Sequence, residues 1–190
     1  MDACIAAAAG WQRTLYVVLR CTGLRVAEAM ALRWGDVRTT PAGSYLTVRE
    51  GKTDAERGRE GPLSPVLVAA LGAPGPGDGY LVPCPRRIRE ARARDAVRAW
   101  TRAGVEPAVW TGSAHHAFRR GFVSGLKRDG ADDEAVEYLV GHSLGVRDHY
   151  VDAAAMQASM SSHVGARRRG GRVLVRASDT GGGTPTYPSG

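Results

Sequence analysis

The chain has 190 residues, 43% of them apolar, and a formal net charge of +7. That length suits one domain with a buried core, and no apolar run is long enough to span a bilayer. The opening Met1-Asp2-Ala3-Cys4 lacks the positive start of a secretory signal, and Cys4, Cys21 and Cys84 are odd in number and far apart, which argues against a disulfide framework or a zinc site and for a cytoplasmic protein. The basic balance favours a polyanionic partner such as nucleic acid. Residues 167–190 hold five arginines and Asp179, a net +4, so the remainder carries only +3 and is mildly basic.

In chain order, Trp11, Leu15, Val18 and Leu19 recur at helical spacing and predict a helix over 11–22, punctuated by Thr22-Gly23. A second helix is expected from near Arg25 to about Trp34, with Val26, Met30 and Leu32 among its apolar residues. Tyr45-Leu46-Thr47-Val48-Arg49 has the alternation of a strand. The polar stretch 50–59, with Gly51 and Gly58, suits a turn or an exposed hairpin tip. Ser64 can cap a short helix from Pro65 to Leu71, with proline at its first position. A Gly/Pro loop over 72–79 leads to a basic helix from Arg87 to about Ala103, striped by Ala93, Val97 and Trp100. Ser113 can cap a helix over 114–128 that buries Phe118, Phe122, Gly125 and Leu126. Asp132 opens another through Leu139, and Gly141 ends it. Residues 145–158 read as helix, and the Arg/Gly-rich end as disordered. The expected fold class is α+β, mainly α, with a small antiparallel sheet, divided into a domain over 1–166 and a tail over 167–190. Tyr16 and Tyr138 are expected in the core, Cys21 and Cys84 as small buried hydrophobes.

Five segments carry chemistry. In Thr22-Gly23-Leu24-Arg25, Arg25 stands where a glycine turn enters a helix, a place that aims a guanidinium and helix amides at one anion; Glu28, one turn on, can brace it. Lys52 stands at the hairpin tip. Only Lys52 and Lys127 are lysines among 26 basic residues, and a lysine kept in so arginine-biased a chain can do what arginine cannot, namely give up a proton. Lys127, on a helix surface, reads as chance. His116 and Arg119 are three apart and share a helix face; the adjoining His115 lacks that spacing. His142 follows a helix end in Leu139-Val140-Gly141-His142, and Tyr150 comes eight residues later.

This order of Arg, Lys, His-x-x-Arg, Gly-His and Tyr resembles the tyrosine recombinase (phage integrase) family, with TGLRVAEAMALRW over 22–34 the strongest single motif and the likeness running roughly over 11–155. The resemblance implies a catalytic domain for site-specific DNA recombination or integration. Arg25 and Arg119 would grip the scissile phosphate, Lys52 would protonate the 5′-oxygen leaving group, His116 would act as acid/base near the phenol, His142 would donate to the phosphate, and Tyr150 would be the nucleophile. The covalent link conserves the bond energy, so no cofactor, metal or ATP is implied. The implied partner is double-stranded DNA, with a homo-tetramer on paired sites and no membrane. Only 24 residues precede Arg25, so the family's amino-terminal DNA-clamping domain is expected to be missing. Two further departures stand out: the interval from His142 to Tyr150 is about one residue tighter than usual, and Ala117 replaces the acid of the family's His-Asp-Leu-Arg. Two other readings of the same residues are a non-catalytic DNA-binding remnant and a type IB topoisomerase.

Overall fold

The computed structural model describes residues 2–41, 43–49, 58–84, 97–98, 100–105 and 114–141. Helix α1 (Asp2–Ala7) leads into α2 (Gly10–Thr22), which buries Leu15, Tyr16, Val18 and Leu19. α2 stops because Gly23 adopts φ 68°, where its N–H can return to the Leu19 carbonyl at 3.0 Å. Helix α3 (Val26–Ala31) follows after a three-residue turn, Gly23 to Arg25. It ends earlier than the sequence suggested. Leu32 is extended, its carbonyl accepts from Leu81 N–H, Arg33 bridges to Tyr80, and Trp34–Asp36 forms a separate 3-10 turn. Long-range pairing with the 79–81 segment thus overrides the helical pattern there.

Three strands make one antiparallel sheet in the order β1 (Val37–Thr40), β2 (Gly43–Val48), β3 (Arg59–Pro62). Val37 pairs with Leu46, Tyr45 with Pro62 and Val48 with Arg59. β2 and β3 pair antiparallel, and the hairpin tip expected around Lys52 lies outside the described residues. Helix α4 (Pro65–Leu71) begins as read: Ser64 Oγ accepts from Leu67 N–H at 3.2 Å, with proline in the first turn. Helix α5 (Ala114–Arg128) and helix α6 (Asp133–Val140) match their expected spans; Asp132 caps α6 through Ala135 N–H at 3.0 Å, and Gly141 closes it at φ 72°.

The main core lies where α2 meets α5. Tyr16 stacks on Phe118 at 5.2 Å, and Trp100, fully buried, meets Phe118 edge-on at 5.5 Å. A second cluster of Phe122, Leu126, Val136, Leu139 and Val140 fixes α6 against α5. The mainly α architecture with a small antiparallel sheet is as expected. Some packing assignments differ. Cys4 is fully buried whereas Cys21 and Cys84 are half-buried, and Tyr138 is half-buried, its hydroxyl accepting from Glu60 N–H at 3.4 Å. Of the basic helix, residues 97–98 and 100–102 are helical, and Thr101 Oγ1 donates to the Val97 carbonyl. Its start, the Ser113 cap, the helix over 145–158 and the tail over 167–190 lie outside the described residues. Among the described residues no helix is long and apolar enough to cross a membrane.

Candidate functional site

Arg25 is the N-cap of α3, in extended conformation. Its backbone N–H donates to Glu28 Oε2 at 2.8 Å and its Nη1 to Glu28 Oε1 at 3.2 Å. The capping exchange explains the sequence spacing: an acid at the third helical position satisfies the N–H of the residue that opens the helix and also orients that residue's side chain. Arg25 remains 31% exposed, while Glu28 is only 5% exposed. The charged head is thus anchored on its protein side and can still meet an anion.

Arg119, on α5, is buried. Its Nη1 donates to the Gly23 carbonyl at 3.0 Å and its Nη2 to the Val140 carbonyl. Val140 is the last residue of α6, so its carbonyl has no acceptor role inside the helix, and a cation at a helix C-terminus also meets the favourable end of the dipole. One guanidinium fork therefore ties the turn before Arg25 to the backbone two residues before His142. A third guanidinium joins them. Arg59 on β3 is 3% exposed, donates from Nη2 to Glu28 Oε2 at 2.9 Å and from Nε to the Leu139 carbonyl at 3.3 Å. Arg25, Arg59 and Arg119 against Glu28 leave a formal surplus of two positive charges, which suits a phosphodiester.

His116 lies on α5, one turn before Arg119, and is exposed; His115 is buried, its ring 6.1 Å from that of Tyr16. The burial pattern puts His115 in the core and His116 on the surface. Lys52, His142 and Tyr150 lie outside the described residues. The strand before Lys52 and the helix before His142 are described. Arg49, just past β2, pairs through Nε with the buried Asp36, whose other oxygen accepts from Arg33 N–H at 2.8 Å. The strand leading towards Lys52 is thus tied to the turn that follows α3. Lys127 pairs with Asp133 at 2.9 Å on the far end of α5, and that hydrogen bond raises its amine above the ordinary range. It takes no part in the arginine cluster, in keeping with the reading of it as a surface lysine.

Sequence reasoning missed Arg59. It sits in a polar run between Gly58 and Glu60, where nothing in composition or spacing marks an arginine for burial.

Comparison with known proteins bears on the family and the fold. The model of the phage integrase family matches residues 1–155. The tyrosine recombinase XerD of Rhizobium meliloti (strain 1021) is 32% identical over 143 residues, covering 68% of this chain and 42% of the relative. Among solved structures, the integrase from mycobacterium phage Brujita superposes with a TM-score of 0.59 at 23% identity, covering 85% of this chain and 53% of that one. The XerA recombinase follows with a TM-score of 0.58 at 22% identity, over 83% and 55% of the two chains. The XerH site-specific recombinase bound to difH substrate in a pre-cleavage complex also gives 0.58, at 17% identity, over 83% and 47%. The chain spans less than half the length of the curated relative and about half that of each solved structure.

Proposed function

This chain belongs to the phage integrase family, and on that premise we propose that it is a tyrosine recombinase catalytic domain that breaks and rejoins double-stranded DNA through a 3′-phosphotyrosyl intermediate. The observation that carries the reading is the double contact of Arg119 with the Gly23 and Val140 carbonyls, which brings three of the sequence motifs to one place.

In the proposed reaction Arg25 and Arg119 hold the non-bridging oxygens of the scissile phosphate. Two guanidiniums stabilise the charge that grows on those oxygens as phosphorus becomes five-coordinate. The Tyr150 hydroxyl attacks phosphorus, its proton passing to His116. The bond from phosphorus to the 5′-oxygen breaks, and Lys52 delivers a proton to that oxygen. His142 donates a hydrogen bond to the phosphate. Attack by a 5′-hydroxyl reverses each transfer and releases the tyrosine. The reaction consumes no ATP, because one phosphoester is exchanged for another. The reading places the domain at 1–166 and the arginine-rich 167–190 as a tail that contacts DNA without sequence preference. Assembly as a tetramer on paired sites, alongside a separate DNA-clamping domain, belongs to the same proposal.

The test is a randomised pool of nicked duplexes, in which cleavage near the nick lets a short fragment diffuse away and traps the enzyme. A covalent protein–DNA adduct is expected with the native chain and none with Tyr150→Phe. Salt-dependent duplex binding with no adduct would overturn the proposal in favour of a DNA-binding remnant. Relaxation of unrelated plasmids without site preference would point to topoisomerase-like activity instead.

A further inference from the structure

We infer that Arg59 is a positioning residue for this reaction: it shares Glu28 with Arg25 and thereby sets where the Arg25 guanidinium stands. The inference rests on the functional reading above for its catalytic consequence, but its geometry is independent of that reading.

Glu28 is a buried carboxylate with two cationic neighbours. Its Oε2 accepts from the Arg25 backbone N–H and from Arg59 Nη2, and its Oε1 from Arg25 Nη1. A carboxylate in a site of low dielectric pulls strongly on any guanidinium beside it. With Arg59 in place, part of that pull is answered from the β3 side, and Arg25 keeps a charge surplus to offer an incoming phosphate. Without Arg59, Glu28 would be balanced by Arg25 alone of this pair, drawing the guanidinium back onto its own helix. Arg59 also reaches the Leu139 carbonyl, one residue from the Val140 carbonyl that Arg119 holds. The two arginines thus take adjacent carbonyls at the end of α6, and through them the hairpin strand β3, the Arg25 turn and the helix preceding His142 form one unit. The fork matters as much as the charge. A lysine at this position can neutralise Glu28 or cap α6, but as a point charge on a flexible stem it cannot do both at fixed geometry.

The full chain tests this with Arg59→Lys, which keeps a cation in the core, and with Arg59→Gln combined with Glu28→Gln, which removes both charges. Three quantities are read: the rate of adduct formation on a nicked duplex, duplex affinity, and the Arg25 Nε–H resonance in a nitrogen-labelled sample. Arg59→Lys should slow adduct formation about 10- to 100-fold, the scale of a small displacement of a reacting group. Duplex affinity should hold within about two-fold, since most binding comes from other phosphate contacts, and the Arg25 resonance should shift. The double variant should be faster than Arg59→Gln alone, because removing the Glu28 charge relieves its pull on Arg25 while the Leu139 contact stays lost. Native-rate cleavage in folded Arg59→Lys, or an unmoved Arg25 resonance, would overturn the inference. If the native chain forms no adduct, the functional reading fails, and the resonance alone decides the positioning claim: a shift upholds it and no shift refutes it.

Discussion

Arg119 and Gly23 stand 96 residues apart in sequence and are joined by a 3.0 Å hydrogen bond from guanidinium to carbonyl. The same side chain holds Val140 at the end of α6. A buried guanidinium that spends two donors on backbone carbonyls has a fixed plane, and a fixed plane gives a directed face to whatever anion approaches.

Arg119→Ala should therefore lose twice. Two carbonyls become unsatisfied, at a cost of about 1–3 kcal/mol each if water does not replace the donor, and adduct formation should fall below detection. Arg119→Lys should recover part of the stability and little of the activity, because the fork is lost. Chemical denaturation and the nicked-duplex assay separate the two effects. Equal recovery of both by lysine would mean that charge alone is needed.

Gly23→Ala should destabilise the domain by about 2–5 kcal/mol, combining a left-handed backbone that L side chains resist with overpacking. Gly23 has φ 68°, and an added Cβ would press into the Phe122 ring. Phe122 belongs to the cluster that seats α6, so the strain spreads to the Val140 end. A melting temperature within about 2 °C of the native value, where a 1 kcal/mol change moves a domain of this size by a few degrees, would contradict this.

The two lysines should behave oppositely. Lys52→Arg should slow cleavage of an ordinary strand by about 100-fold or more, the scale of general-acid assistance. A substrate with sulfur in place of the 5′-bridging oxygen should recover it, because a thiolate leaves without a proton. Lys127→Arg should leave both rates unchanged, since that side chain is occupied by Asp133 at the surface. A Lys52→Arg defect that sulfur does not repair would remove the acid role.

Thiol labelling should follow burial. Burial pushes the Cys4 thiol above its ordinary value, so in the folded protein near about pH 8, close to the ordinary thiol value, it presents little thiolate and little access. Half-buried Cys21 and Cys84 should react with a maleimide first, and Cys4 only on unfolding. Mass spectrometry of the labelled peptides checks the order; early labelling of Cys4 would contradict the packing of α1.

The parts of the fold that sequence made legible are those with local causes. Ser64 before Pro65, Asp132 before α6 and Gly141 after it are cap signals whose partners lie within four residues, and all three act as read. The misses have remote causes. α3 stops at Ala31 because the following residues meet the 79–81 segment. β1, Val-Arg-Thr-Thr, carries one apolar residue, and β3, Arg-Glu-Gly-Pro, reads as a turn; both are strands because β2 lies between them. Proline is tolerated there at the last position of an edge strand. Within the site, Arg25 and Glu28 were readable because their contact spans one helical turn. Arg59 was not, because its partners lie 31 and 80 residues away. The choice of His116 over His115 came from its spacing to Arg119; His115 is buried beside Tyr16 and His116 is exposed.

The tyrosine nucleophile is tested most directly by digesting a trapped protein–DNA adduct and sequencing the nucleotide-bearing peptide by mass spectrometry. A single modified residue is expected, Tyr150, carrying a 3′-linked nucleotide. Attachment at any other tyrosine, or at a serine or histidine, would contradict it.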